Sequence, residues 1–171
     1  MKEVTITIDG EEYIARPKNE TVTAEKPKTG YERVGKCETY YAQDECCMVD
    51  SYVDDEDELG IDDYKAANYY NRIDLAENIV RADTLMRKLR QWQALNDEPV
   101  DWSDTDTREY YVWYDYYDSE FRIGSTFSVR HIGQIYFTSE EKAQEAIEVF
   151  KDELTWYFTE YMQRLDEPKH N

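Results

Sequence analysis

The side chains with chemical potential concentrate in one stretch. Residues 37–63 contain Glu38, Asp44, Glu45, Asp50, Asp54, Asp55, Glu56, Asp57, Glu58, Asp62 and Asp63, eleven carboxylates with no Lys or Arg among them. Such a run can hold a hard cation, work as acid and base, or face a cationic partner. The spacing argues against the first. An EF-hand loop alternates its acidic ligands, turns on a Gly at its sixth position and closes on a Glu at its twelfth, whereas counting from Asp54 puts Gly60 seventh and Lys65 twelfth. All 3 cysteines, Cys37, Cys46 and Cys47, lie in the same stretch without a CxxC spacing, and the 2 histidines, His131 and His170, are far away, so no tetrahedral zinc set is in view. An odd number cannot form a fully paired disulfide framework, and neighbouring carboxylates raise a thiol pKa; reduced, partly buried cysteines are expected. His131 has no nucleophile spaced to it and reads as a hydrogen-bonded histidine at a strand end. The 6 glycines form neither GxxxxGK nor GxGxxG, so no phosphate cradle is encoded. No catalytic residue, metal ligand set or cofactor motif emerges, and the expectation is a protein that is not an enzyme.

What remains is charge. The chain of 171 residues carries 39 acidic and 20 basic side chains, a formal net charge of −19, the opposite of the basic footprint by which proteins neutralise phosphates. Direct nucleic-acid binding is therefore not expected, even through a Tyr platform of the RRM kind. A basic protein surface is the complementary partner. A second acidic run, Asp97, Glu98, Asp101, Asp104 and Asp106, precedes an aromatic strand that Asp115 and Asp118 then follow. The partner-binding candidates are accordingly Asp54, Asp55, Glu56, Asp57, Glu58, Asp62, Asp63, Asp101, Asp104, Asp106, Asp115 and Asp118, with Tyr114 and Tyr116 from the strand between them. Tyr offers rigid contact area with a polar tip, so a strand with aromatics on both faces either packs on both or presents one for recognition.

The elements that must position these residues follow from periodicity. A mean hydropathy of −0.91 alone would suggest disorder. The 16 Tyr, 5 Phe and 4 Trp supply a buriable core. Val4, Ile6 and Ile8 alternate before Asp9-Gly10 and Tyr13-Ile14, which predicts an N-terminal hairpin, and Pro17 to Arg33 reads as a linker. Two short strands are expected around Tyr40-Tyr41 and Cys46 to Val49, and Asp54 to Glu58 reads as an exposed loop because a like-charge block resists burial. Asn71 can cap a helix to about Leu95 whose Leu75, Ile79, Ala82, Met86, Leu89 and Trp92 make one apolar face. Its Arg72, Arg81, Arg87, Lys88 and Arg90 make it the basic element of an acidic chain. Strands are predicted at 109–117, 121–129 and 133–137. Thr138-Ser-Glu-Glu141 is a capping-box pattern opening a helix over 139–165, with the core carried by Ile147, Phe150, Leu154 and Tyr161.

The fold class is thus α+β: short antiparallel sheets, two main amphipathic helices and an N-terminal β-hairpin. The divisions fall at 1–33 (hairpin and linker), 34–95 (an acidic β-β-α unit), 96–108 (an acidic connection) and 109–171 (a Tyr-rich β-β-β-α unit). Asn68-Tyr-Tyr-Asn-Arg-Ile-Asp-Leu-Ala and Ile135-Tyr-Phe-Thr-Ser-Glu-Glu-Lys-Ala place Ala76 opposite Ala143, which suggests a duplicated β-β-(β)-α unit. Nothing approaches the apolar length of a bilayer span, and the first residues lack a signal-peptide pattern, so a soluble, cytoplasmic protein is expected.

The run Gly133-Gln-Ile-Tyr-Phe-Thr-Ser-Glu-Glu-Lys-Ala-Gln-Glu-Ala-Ile-Glu-Val-Phe, with Trp156-Tyr-Phe-Thr-Glu-Tyr161, resembles the C-terminal end of small acidic proteins of Firmicutes phages and prophages. The resemblance covers residues 68–163 and carries no catalytic motif. It implies a phage or prophage origin in a bacterial host and, because relatives of that kind stand beside host-defence inhibitors, an anti-CRISPR role. Two functional readings then stand. In one, carboxylates imitate DNA phosphates and occupy the basic groove of a CRISPR effector with its guide RNA. In the other, the chain is a structural or regulatory phage protein, acidic for solubility and homodimeric through its C-terminal helix.

Overall fold

The computed structural model describes residues 28–167 and, by their backbone, the strands of an N-terminal hairpin. That hairpin pairs β1 (Val4–Ile8) with β2 (Glu11–Ala15) antiparallel, Ile8 opposite Glu11, as the alternation predicts. The stretch 17–27 of the expected linker lies outside the described residues. Its last part is no loose linker. Glu32 accepts from the backbone N–H groups of Thr29 (2.6 Å) and Gly30 (2.9 Å), and Gly30 O accepts from Asn71 N (2.9 Å), strapping the segment across the molecule. Gly30 sits at φ +97°, and a Cβ there would stand 2.2 Å from Leu75 Cδ2. Only glycine allows that approach.

The remaining elements form an α+β arrangement. Strands β3 (Thr39–Gln43) and β4 (Val49–Val53) make one antiparallel hairpin, and β5 (Glu109–Asp115) and β6 (Glu120–Thr126) another. Helices α1 (Glu58–Lys65), α2 (Ile73–Asn96), α3 (Glu140–Val149) and α4 (Lys151–Thr159) complete the described order. Helix α2 serves both halves. Its Leu75, Ala76 and Ile79 pack with Tyr70 against Tyr41 and Val49 of the first hairpin. Two turns on, its Leu85 and Leu89 meet Leu154, Phe150, Phe158 and Phe121. The 3.6-residue repeat keeps both sets on one stripe, so a single helix joins two small cores. Tyr161 and Leu165 close over the first core from the far end of the chain.

One local arrangement, a bridge followed by a helix, occurs twice. Tyr70 bridges back to Tyr41 of β3, and Phe137 bridges back to Tyr110 of β5, each through a reciprocal pair of hydrogen bonds at 2.8 and 2.9 Å. In each case the helix begins three residues later, at Ile73 and at Glu140. Ala76 and Ala143, paired by the sequence alignment, are both completely buried. Small residues there let each helix lie close to its hairpin. The "third strand" of each unit is thus a single bridge. A full strand over 133–137 does not form, because Gly133 at φ +79° turns the chain and only Phe137 reaches the ladder.

Four further expectations are corrected. The stretch from Asp54 to Glu58 is exposed and irregular at 55–57 as expected, but Asp54 is buried, Glu58 opens α1, and Asp57 caps that helix, its side chain accepting from Gly60 N at 3.0 Å. The helix predicted from Asn71 starts at Ile73 with Arg72 as N-cap and no side-chain cap, because the Asn71 amide is turned to Glu32 at 3.1 Å. Ser139 rather than Thr138 caps α3, its hydroxyl accepting from Lys142 N at 3.2 Å, while Thr138 bonds Asp97. The single helix over 139–165 is two, broken at Phe150, whose φ −110° and ψ 18° leave the helical region. The three-four spacing continues through the break, which is why the sequence hides it.

Candidate partner-binding surface

The acidic stretch is more tightly organised than its composition implies. Asp54, 1 % exposed, receives a two-pronged ion pair from Arg33, Nε to Oδ2 and Nη2 to Oδ1, both at 2.8 Å. The Tyr69 hydroxyl donates to Oδ2 at 2.8 Å and the Glu56 backbone N–H to Oδ1 at 2.9 Å. A buried carboxylate stays charged only when its lone pairs are met this way. The Arg33 guanidinium, foremost, holds the Asp54 carboxyl far below the usual carboxylate range, and Tyr69, buried and bonded to Asp54, is pushed up to about 12. Asp54 is therefore removed from the partner-binding candidates: it faces inward. The expected lack of local compensation is likewise corrected, since Lys36 pairs with Glu56 at 3.5 Å and Lys65 with Asp62 at 3.1 Å from just outside the run.

The other candidates divide by what already holds them. Asp63 accepts from the Tyr40 hydroxyl at 2.9 Å, and Tyr40 stacks on Tyr69 with ring centroids 4.1 Å apart. Asp55, Glu56, Asp57 and Glu58 are all exposed along the approach to α1 and its first residue. Around the second hairpin, Asp101 accepts from the Ser103 hydroxyl at 2.6 Å and its N–H at 2.9 Å, and Asp104 from the Thr107 hydroxyl at 2.5 Å and the Asp106 N–H at 2.9 Å, and these bonds, the hydroxyls foremost, lower both carboxyl pKa values. Such turns fix the carboxylates in place while leaving them exposed. Asp118 pairs with Arg122 at 2.8 Å, and Asp115 lies 4.0 Å from the same guanidinium. The two acidic runs are attached to different hairpins, 54–63 following β4 and 101–118 running into and out of β5.

The aromatic strand resolves residue by residue. Tyr114 is half-buried, stacked on Phe158 at 5.5 Å and edge-on to Phe121 at 5.2 Å, so it belongs to the core. Tyr116 lies beyond the end of β5 and is well exposed, its hydroxyl donating to Phe158 O at 2.9 Å. The exposed aromatics of this region are Trp113, Tyr116 and Tyr117, the last 96 % exposed at the hairpin turn. At the start of β5, Glu109 is 2 % exposed and its Oε2 has no hydrogen-bond partner among the described residues. Sequence reasoning passed over Arg33, Tyr69 and Glu109. Arg33 alone left a signal, as the last cation but one before the acidic run.

Comparison with protein-family models finds no match, and neither curated proteins nor solved structures give one. Function must be argued from the surface itself.

The thiols are another correction, since Cys37, Cys46 and Cys47 are all exposed rather than partly buried. Cys37 is nonetheless a poor nucleophile: desolvation and the Asp55 carboxylate at 3.6 Å both raise its pKa. His131 is also exposed, in the loop before Gly133, where its backbone N–H donates to the Tyr136 hydroxyl at 2.8 Å. Among the described residues no three His, Cys, Asp or Glu side chains converge as metal ligands, and no helix is long and apolar enough to cross a membrane. A cavity of about 280 Å³ between α2, β5 and α4 is lined by apolar groups such as Leu85, Leu89, Val112 and Phe158.

Proposed function

We propose that this chain is an acidic, phage-derived inhibitor whose carboxylates occupy a basic, nucleic-acid-binding groove of a host defence nuclease, a CRISPR effector being the best-fitting target. The observation that carries the reading is the group Asp55, Glu56, Asp57 and Glu58, exposed in succession in a protein of net charge −19 and anchored by the pair that Arg33 makes with the buried Asp54. A carboxylate row on a fixed backbone can meet Arg and Lys that otherwise hold phosphates, and the net charge steers the encounter. Asp62 and Asp63 follow the row into α1, and Asp101, Asp104, Asp106, Asp115, Asp118 and Tyr116 would add contacts from the second hairpin, with Tyr114 packed behind them. The cytoplasm of a bacterial host is where such a target is met.

Exposed ion pairs are each worth about 0–1 kcal/mol, so the reading requires several together. Neutralising Asp55, Glu56 and Glu58 to Asn or Gln spares the buried Asp54 and the helix cap Asp57. Association of the full chain with a guide-loaded effector, followed from about 50 to about 500 mM salt, should weaken as salt rises, with a shallower slope for the triple variant. Equal affinity of wild type and variant, or binding indifferent to salt, would reject this surface.

A further inference from the structure

Eight Lys and Arg side chains of the described residues pair with carboxylates, as expected where acids outnumber bases: Arg33, Lys36, Lys65, Arg72, Arg81, Arg122, Lys142 and Arg164. Of the cations left without an ion pair among the described residues, Arg90 and Arg130 stand out because both are exposed and both line one cleft of about 250 Å³ between the end of α2 and the loops on either side of the second hairpin. Two of the three carboxylates nearest in sequence to this cleft are engaged elsewhere, and the third, Glu98, is exposed beside Pro99. Asp97 is taken by Thr138 and by the Glu98 N–H, and Asp101 by Ser103. An anion entering the cleft would meet forked donors from both of its guanidiniums.

The rest of the cleft is aromatic and fixed. The Arg130 guanidinium lies over the Trp102 ring, 5.6 Å from its centroid. Trp102 is edge-on to Tyr136 at 5.0 Å and 89°, and the Tyr136 hydroxyl is held by the His131 N–H at 2.8 Å. The Gln134 amide, also at the wall, donates to Val112 O and Ile135 O at 3.3 Å, which sets its orientation. Paired guanidiniums recognise planar or tetrahedral oxyanions by their forked donors, and the flat walls suit an apolar ring rather than a hydrated ion.

We infer that the cleft of Arg90, Arg130, Trp102 and Tyr136 binds a phosphate monoester carried on an aromatic body, the chemistry of a mononucleotide. The guanidiniums hold the phosphate and the aromatic wall takes the ring. The global charge opposes any anion, but over a Debye length of about 10 Å salt screens distant carboxylates while leaving contact pairs largely intact. No residue of this site belongs to the acidic surface, so the two readings stand or fall separately.

Calorimetric titration of the full chain with AMP, inorganic phosphate and adenosine, at about 100 mM salt, tests the inference. AMP should bind saturably and at least about tenfold more tightly than either phosphate or adenosine. Arg90→Gln and Arg130→Gln should each weaken AMP about tenfold, and Trp102→Leu should bring AMP down to the affinity of phosphate. Arg108→Gln, which alters a cation lying over Phe127 and away from the cleft, should change nothing. Melting temperatures distinguish a lost contact from a lost fold, and Arg90→Lys, which keeps the charge without the fork, should fall between wild type and Arg90→Gln. Absence of saturable AMP binding, phosphate or adenosine binding as well as AMP, or indifference to both arginine changes would each overturn the assignment.

Discussion

At the scale of the residue, Asp54 shows how an acidic run can hide a structural anion. Within residues 37–63 its chemistry equals that of its neighbours, and nothing local marks it for burial. The mark is Arg33, 21 residues earlier, and Tyr69, 15 residues later, which meet it only after the chain folds back. Spacing arguments see i,i+3 and i,i+4 partners and miss such pairs. Replacing Arg33 by Met should lower stability in denaturant melts clearly more than Lys36→Met at a wholly exposed pair, because it takes the two-pronged partner from the buried Asp54 carboxylate. Acid should act on the same network. Asp54 is lowered chiefly by Arg33, and Glu32 is lowered to about 2 chiefly by the Thr29 N–H. Both carboxyls bind protons more weakly folded than unfolded, so their contribution is complete above pH about 4–5, the unfolded range, and disappears as pH falls toward 2. Stability measured across that window should decline, and the Arg33→Met variant should lose part of the dependence.

At the scale of the element, the strong periodic signals were legible and the terminations were not. The alternation expected over 109–117, which ends at Asp115, the long stripe of α2 and the helical stripe from Ala143 onward all correspond to described elements. The paired bridges at Tyr70 and Phe137 each precede a helix, an order the sequence also suggested. The breaks escaped because they depend on backbone dihedrals and competing partners. Thr138 is drawn to Asp97, which shifts the cap by one residue, and Phe150 fits both the stripe of α3 and the core of α4. Phe150 sits half-buried at the junction and fills space beside Leu85, Leu89 and Leu154. Phe150→Ala should therefore cost about 2–3 kcal/mol, below the 3–5 of a fully enclosed aromatic. A loss under about 1 kcal/mol would mean that α4 closes over the gap without it.

At the scale of the whole molecule, charge works in two opposite directions, and that opposition is testable. A net charge of −19 on a chain of this size repels itself in the compact state. The cations that relieve the repulsion are mostly local: Arg122 serves Asp115, Asp118 and Glu120 together, and Arg81 both pairs with Glu153 at 2.9 Å and covers Trp156 at 3.9 Å from the ring centroid. These contacts hold hairpin turns and helix pairs in place without neutralising the exposed row at 55–58. Raising salt from about 50 to about 500 mM shortens the Debye length from more than about 10 Å to less than about 5 Å, which should weaken the repulsion more than the contact pairs. The isolated protein should then melt several degrees higher in high salt. A groove-binding inhibitor should show the reverse slope in complex, losing affinity over the same range as counterions compete for both surfaces. Parallel thermal melts of the free chain and binding isotherms with the effector give both slopes from one set of buffers. A protein acidic for solubility alone gives the first slope without the second, and a free chain whose melting temperature falls with salt would show that its ion pairs outweigh its self-repulsion.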